Sequence, residues 1–93
     1  MWEILEHRRL DRQLAKTPRE VLKRYEKWKD VARLSGPPGL RLIAGFHDEA
    51  LAGKWQGFRS SRLGDQWRII YRVAPGQLTY YVESTTAHDY RRR

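Results

Sequence analysis

The fold is decided by the stretch Gly57-Phe-Arg-Ser-Ser-Arg-Leu-Gly-Asp-Gln-Trp-Arg-Ile-Ile-Tyr-Arg-Val73, which continues as Ala74-Pro75-Gly76 and Gln77-Leu-Thr-Tyr-Tyr-Val-Glu83. Between positions 67 and 73, every second side chain is aromatic or branched apolar, which is typical of a strand with one buried face. Pro75-Gly76 favours the centre of a tight turn, because Pro fixes φ and Gly accepts positive φ. The stretch therefore predicts three antiparallel strands joined by two hairpins.

The register of the second hairpin follows from which side chains can be buried together. Pairing Ala74 with Gln77 places apolar side chains opposite one another along the buried face. The resulting core pairs are Val73 with Leu78, Tyr71 with Tyr80, and Ile69 with Val82. The same register predicts that Arg68 lies opposite Glu83.

The first hairpin could close through a loop of two or of three residues. A three-residue loop, 64–66, pairs Leu63 with Trp67 on the core face and sets Arg62 opposite Arg68 on the other face. A two-residue loop would place Arg62 on the Trp67 side and bury its charge. We therefore predict the three-residue loop.

Arg62, Arg68 and Glu83 are thus predicted to share one exposed, concave face of the sheet. Two arginines directly opposite each other destabilise a sheet unless an anion lies between them. Glu83 supplies one negative charge, and a phosphate group could supply the rest. The alternative is a solvated strand face with a surface salt bridge, worth about 0–1 kcal/mol.

The N-terminal half reads as a short strand over 2–6 and a short helix over 8–16. Thr17-Pro18-Arg19-Glu20 resembles a capping box, and helical spacing continues to about Leu34, before Ser35-Gly36-Pro37-Pro38-Gly39 stops the helix. The predicted class is α+β: a strand, two helices, then an antiparallel three-stranded meander, with the helices on one sheet face. The helices are expected to contribute Leu14, Val21, Tyr25 and Trp28 to the core.

Composition indicates the environment and the kind of partner. The 93 residues predict one domain, residues 1–93, with a formal net charge of +8, which implies an anionic partner. The four Trp, five Tyr and two Phe could stack exposed bases, which favours nucleic acid and single-stranded RNA especially. Cysteine is absent, and the sequence shows no membrane span or signal peptide. We therefore expect a cytoplasmic protein without a membrane partner.

The sequence lacks several familiar catalytic patterns. The three histidines have no short-spaced zinc-ligand partners, and no phosphate-binding glycine loop or thiol nucleophile is present, so neither a metal nor a cofactor is expected. Acid–base and phosphate chemistry remain. His88 could be a general acid or base or a surface residue, and Tyr90 could stack a base or anchor the tail. The segment His47-Asp48-Glu49 is typical of a solvated loop.

Three segments together resemble a known family. Leu51-Ala-Gly53-Lys-Trp55-Gln-Gly57-Phe-Arg59-Ser-Ser-Arg62-Leu63, then Trp67-Arg68-Ile-Ile-Tyr71-Arg-Val73, then His88-Asp-Tyr90 are similar in order and spacing to the RelE superfamily of bacterial toxins. The HigB and YafQ-like members are the most similar, and the resemblance covers nearly the whole chain.

The resemblance implies the toxin of a type II toxin–antitoxin pair. Such a toxin is an endoribonuclease that cleaves mRNA in the ribosomal A site without a metal, through attack of the ribose 2′-hydroxyl on the adjacent phosphate. Translation then stops. The implied partners are the ribosome, mRNA and a cognate antitoxin with an acidic neutralising segment and a DNA-binding domain.

The resemblance also implies residue roles. Arg68 matches the arginine that contacts the scissile phosphate, and Arg62 falls where relatives carry a catalytic Lys, Arg or His. His88 and Tyr90 fall where relatives transfer protons or stack bases, and Glu49 falls where YafQ-like toxins have a catalytic histidine. Further RNA contacts are expected from Arg59, Arg72, Asp89, Arg91, His47 and Lys54.

Two questions stay open at the level of sequence. The general base could be Glu49, Glu83, Asp89 or His47, and His88 could serve as acid or base. The alternative function is that of the ParE group, which shares the fold, inhibits DNA gyrase and lacks the nuclease residues. The paired arginines and the His-Asp-Tyr end favour the nuclease.

Overall fold

A computed structural model describes residues 1–87 of the protein. Four predicted site residues therefore lie outside the described residues: His88, Asp89, Tyr90 and Arg91. The strands are β1 (Glu3–Glu6), β2 (Glu49–Ala50), β3 (Arg59–Arg62), β4 (Arg68–Ala74) and β5 (Thr79–Thr86). The helices are α1 (Arg9–Ala15) and α2 (Arg19–Leu42). No helix within this part of the chain has the length and apolarity needed to cross a membrane.

The sheet contains the predicted meander and two further strands. Its order is β1-β5-β4-β3-β2, with β1 parallel to β5 and the other neighbours antiparallel. The predicted α+β class, with an N-terminal strand, two helices and a β3-β4-β5 meander, is confirmed. The two-residue β2 adds one strand at the β3 edge, and β1 adds another beside β5.

The start of α2 differs from the predicted capping box. The Thr17 hydroxyl donates to the carbonyl oxygen of Gln13 at 2.8 Å, so Thr17 closes α1 instead of capping α2. Its own N–H donates to Leu14 O at 3.1 Å. The segment between α1 and α2 is so short that Thr17 still lies over the last turn of α1. Helix α2 begins at Arg19, directly after Pro18.

Gly36 breaks α2 without ending it. The residue has φ 70° and ψ −174°, a conformation that favours glycine, and helical backbone resumes beyond it to Leu42. A Cβ at position 36 would lie 2.7 Å from Nε1 of Trp2, so the close approach of this ring also requires glycine. The predicted stop is therefore a kink, because Pro37 and Pro38 are tolerated in a first helical turn.

The register between β3 and β4 is the predicted one. Arg62 lies directly opposite Arg68, and the Leu63 N–H donates to Trp67 O at 2.8 Å across the three-residue loop. Leu63 is fully buried in the core, and Trp67 packs against it.

The predicted register between β4 and β5 is wrong. Ala74 pairs with Thr79 instead of Gln77, because the hairpin closes through a turn of 3₁₀ helix over Pro75–Gln77 and a left-handed Leu78 at φ 51°. A two-residue turn with proline cannot adopt the primed geometry that matches strand twist, so a longer loop ending in a left-handed residue is favoured. Leu78, predicted in the core, is consequently 49% exposed.

A β-bulge shifts the register once more along β5. Tyr71 pairs with Val82 but Ile70 pairs with Ser84, which leaves Glu83 as the extra residue. The loop moves the pairing by two residues and the bulge by one, so Arg68 lies opposite Thr86 and not opposite Glu83.

The core lies between α2 and one face of the sheet, around the ring of Trp28. Trp28 is fully buried, and its ring lies 5.1 Å from Tyr71, 5.7 Å from Tyr80 and 5.9 Å from Tyr25, measured between centroids. Such aromatic contacts add to the burial of apolar area. The other predicted core residues found in this cluster are Leu63, Ile69, Val82 and Val21, with Leu14 packed against it.

Two core tyrosines also make partly buried hydrogen bonds to carboxylates. Tyr25 donates to Oε2 of Glu6 at 2.5 Å, and Tyr71 donates to Oδ2 of Asp48. Burial is the main cause that raises the pKa of each phenol, and the neighbouring carboxylate raises the pKa further. Both side chains therefore remain neutral donors in the folded protein.

We expect the phenols of Tyr25 and Tyr71 to ionise only when the fold is lost. Because folding raises both pKa values, their stabilising contribution is complete below pH about 10, the unfolded value, and is lost as pH rises above it. Phenolate absorbance and circular dichroism, followed together against pH, should show these two ionisations coinciding with unfolding. Ionisation of either phenol, assigned with Tyr→Phe variants, at unchanged circular dichroism would contradict this expectation.

Candidate active site

Arg62 and Arg68 lie side by side on the sheet face opposite the helix-packed core. Their direct pairing places both side chains on the same face. Arg68 is only 4% exposed, so the predicted exposure of this face is wrong for this residue. Nη1 of Arg68 lies 3.4 Å from Oγ of Ser60 and 3.7 Å from Oε2 of Glu49. The site is therefore a partly enclosed cationic centre on the sheet.

Nε of Arg62 and Oγ of Ser84 are buried on this face without a hydrogen-bond partner in the part of the chain that the structure describes. Ser84 lies opposite Ile70, two residues from Arg68 along β4, so it shares the face of the paired arginines. A buried donor left without an acceptor costs free energy, and phosphate oxygens are acceptors that arginine binds well.

Glu49 is brought into this centre by β2. It pairs with Ser60 of β3, which places its side chain on the face of Arg68, as the 3.7 Å separation shows. Nε2 of His47 lies 3.7 Å from the other carboxylate oxygen, Oε1, of Glu49. His47 has a left-handed backbone with φ 42°, which is uncommon for a residue other than glycine. His47, Glu49 and Arg68 thus form a row in which the carboxylate of Glu49 lies between the other two side chains.

Glu83 does not join the arginine pair. As the extra residue of the β5 bulge it lacks a partner on β4, and its Oε2 lies 3.3 Å from Nη2 of Arg9 instead. Arg9 in turn donates through its backbone N and Nε to Nδ1 of His7, both at 3.1 Å. The prediction that Glu83 lies opposite Arg68 is therefore wrong, and Glu83 belongs to a polar cluster at the start of α1.

That end of α1 forms a basic surface that the sequence did not predict. An open cavity of about 730 Å³ lies there. Its lining residues are His7, Arg8, Arg9, Asp11, Arg12 and Gln13. The excess of cations suits a polyanion, and Arg9 connects this surface to β5 through Glu83.

Asp48 is the residue that the sequence interpretation missed. The tripeptide 47–49 was expected to be a solvated loop, yet the Asp48 side chain has no exposed surface. It lies on the helix-packed side, where its Oδ1 accepts from Nε of Arg59 at 2.8 Å and its Oδ2 accepts from Oγ of Ser61 at 2.6 Å and from the Tyr71 hydroxyl. The sequence did contain one signal. Adjacent residues of an extended segment face opposite sides of a sheet, so placing Glu49 on the site face directs Asp48 to the core face.

The predicted RNA contacts separate into different parts of the fold. Arg59 lies on the core side, where burial alone would lower its pKa but the hydrogen bond and charge of Asp48 raise it. Arg72 lies on the face of Arg68, with its guanidinium 4.2 Å from the ring centroid of Tyr81. Lys54 is exposed in a turn of 3₁₀ helix over Gly53–Trp55.

Within residues 1–87 no three His, Asp or Glu side chains are grouped so as to hold a metal ion.

Comparison with solved structures identifies this architecture. The chain superimposes on a chain of the archaeal RelE–RelB complex from Pyrococcus horikoshii OT3 with TM-score 0.72 and 19% identity, covering 91% of this chain and 92% of the other. YafQ from E. coli strain BL21(DE3) gives TM-score 0.71 and 18% identity, covering 91% of each chain. The heterotetrameric YoeB–YefM toxin–antitoxin complex from Staphylococcus aureus gives 0.70 and 15%, covering 96% and 99%.

No protein-family model and no curated protein matches the chain. The structural likeness nevertheless extends over nine-tenths or more of each chain compared. The chain therefore has the fold of the RelE, YafQ and YoeB toxins.

Proposed function

We propose that this protein is the toxin of a type II toxin–antitoxin pair and cleaves mRNA on the ribosome. The observation that carries the proposal is the direct pairing of Arg62 with Arg68, with a carboxylate beside Arg68 and a buried Nε of Arg62 that lacks an acceptor within residues 1–87. Adjacent cations on a sheet repel each other, so an anion between them is stabilising. A phosphodiester of RNA meets this requirement.

The proposed reaction is attack of a ribose 2′-hydroxyl on the adjacent phosphate. The new oxygen–phosphorus bond forms as the bond to the 5′-oxygen of the next nucleotide breaks, which leaves a 2′,3′-cyclic phosphate and a free 5′-hydroxyl. Negative charge accumulates on the phosphate oxygens in the transition state. Arg62 and Arg68 would bind those oxygens more strongly then than in the ground state, which lowers the barrier.

Glu49 is the general base that the geometry favours among the described residues. Its carboxylate lies next to the arginine that would hold the phosphate, within 3.7 Å of Nη1 of Arg68. A base at this position could take the proton of the attacking 2′-hydroxyl. Glu83 is occupied by Arg9 on another part of the sheet. His88 and Tyr90 remain proposed for proton donation and base stacking, outside the described residues.

The proposed partner is a cognate antitoxin with an acidic neutralising segment and a DNA-binding domain. The formal net charge of +8 supports an acidic partner. The similar structures include complexes of RelE with RelB, YafQ with DinJ and YoeB with YefM. The proposed place of action is the cytoplasm, where the ribosome is the second partner.

Expression of the protein in bacteria should produce new mRNA 5′ ends at positions in frame with codons. Glu49→Gln should reduce cleavage about 10²- to 10⁴-fold, because an amide cannot accept the proton, at little cost to side-chain volume. The rate should be measured with purified ribosomes programmed with mRNA, and the 5′ ends should be mapped by primer extension.

Glu26→Gln is the matched control, because Glu26 lies on α2 with its side chain 69% exposed. It should cleave at the wild-type rate. Intact mRNA together with DNA-damage signalling would contradict the nuclease function and would indicate a gyrase inhibitor of the ParE type. Equal rates for Glu49→Gln and wild type, in a folded protein, would remove Glu49 from the mechanism.

Binding of the antitoxin should weaken as the salt concentration rises. Opposite charges on the two proteins accelerate and orient their association, and salt screens that attraction. The dissociation constant should be measured by calorimetry across a range of sodium chloride concentrations. A constant that does not change with salt would show that apolar contacts carry the complex.

A further inference from the structure

The two acidic neighbours Asp48 and Glu49 lie on opposite faces of the sheet. Glu49 faces the paired arginines, whereas Asp48 faces the core and has no exposed side-chain surface. A carboxylate buried so completely is unfavourable unless it is paired and hydrogen-bonded. The structure therefore contains a costly buried charge directly beside its proposed general base.

The surroundings of Asp48 satisfy both of its carboxylate oxygens. Oδ1 accepts from Nε of Arg59 at 2.8 Å and lies 2.7 Å from its Nη2, while Oδ2 accepts from the hydroxyls of Ser61 and Tyr71. Oγ of Ser61 in turn accepts from Nε1 of Trp28 at 2.9 Å. The network thus connects Asp48 to the centre of the core and to the two strands β3 and β4.

The strand that presents Glu49 has only a short backbone pairing with β3. β2 consists of two residues, with Glu49 opposite Ser60 and Ala50 opposite Arg59, at the edge of the sheet. One further backbone hydrogen bond follows, from Leu51 N to Phe58 O at 2.9 Å. His47, two residues before Glu49, has a left-handed backbone that is unfavourable outside glycine. So short an edge strand needs side-chain anchoring to keep one position.

We propose that Asp48 is a positioning residue, whose ion pair with Arg59 fixes β2 so that Glu49 stays against Arg68 on the opposite face. Asp48 does not touch the RNA. Its effect on cleavage rests on the proposed nuclease function, whereas its effect on the position of β2 does not. A displacement of about 1 Å at a reacting group can cost roughly 100-fold in rate.

Asp48→Asn tests the proposal, because it keeps the side-chain shape and removes the charge that Arg59 pairs with. Amide hydrogen exchange, followed by NMR, should accelerate at Leu51 and remain slow at Leu63, whose N–H bonds Trp67 O between β3 and β4. On programmed ribosomes kcat should fall roughly 10- to 100-fold while KM changes less than about twofold, because RNA binding is retained and the base is misplaced.

Asp30→Asn is the matched control, because Asp30 lies on α2 with a side chain 72% exposed. It should leave exchange and kcat unchanged. Tyr71→Phe removes one donor to Asp48 and keeps every charge, so it should give a smaller change of the same kind, and it serves if Asp48→Asn does not fold.

Three results decide the proposal. Wild-type exchange at Leu51 in the folded Asp48→Asn variant, or in Tyr71→Phe if that alone folds, would overturn it. So would a raised KM at unchanged kcat. If exchange at Leu51 is faster in the variant, and neither the wild type nor any variant cuts RNA, the anchoring role of Asp48 is supported and the nuclease function is refuted.

Discussion

The pairing of β3 with β4 is the constraint on which the rest of the structure depends. The loop between Leu63 and Trp67 fixes the register, and that register decides the facing of every side chain on β3. It buries Leu63 in the core and leaves Arg62 beside Arg68 on the other face. A shift of one residue would exchange the two faces, burying a charge and exposing leucine.

The same register produces the polar network within the core. Arg59 lies opposite Tyr71 and Ser61 opposite Ile69, so Arg59, Tyr71 and Ser61 face the side on which Asp48 is buried. Ser60, between them, faces Glu49 and Arg68. One strand of four residues therefore supplies partners for a buried carboxylate on one face and for the cationic centre on the other. This division explains how a 93-residue chain with 30 charged side chains, 19 basic and 11 acidic, still forms a core.

The sequence predicted those features whose alternatives would bury a charge. The β3–β4 register and the core positions of Tyr71, Tyr80 and Val82 belong to this class. The β4–β5 hairpin does not, because shifting it by two residues keeps the same faces, so the apolar pattern cannot distinguish the two registers. The bulge at Glu83 has no local pattern of its own, and there Gln13 of α1 accepts from the Thr85 N–H at 2.9 Å.

Asp48 was unpredictable for a different reason. A short polar tripeptide is typical of a loop, and its burial depends on Trp28, Arg59, Ser61 and Tyr71, which lie 11 to 23 residues away from it. The sequence did indicate Glu49 as a candidate site residue, because its position followed from the resemblance to nuclease toxins. The prediction that Glu83 joins the arginines failed with the register from which it was inferred.

The most direct test of the central claim is a double-mutant cycle on Arg62 and Arg68, with the single-turnover rate of mRNA cleavage on ribosomes as the measurement. If both guanidiniums bind one phosphate, each change to alanine should cost about 10²- to 10³-fold. The double variant should lose much less than the product of the two single losses, because residues that act as a unit are not additive. Circular dichroism confirms that each variant is folded. Losses that multiply, or folded single variants that cleave at the wild-type rate, would contradict a shared phosphate site.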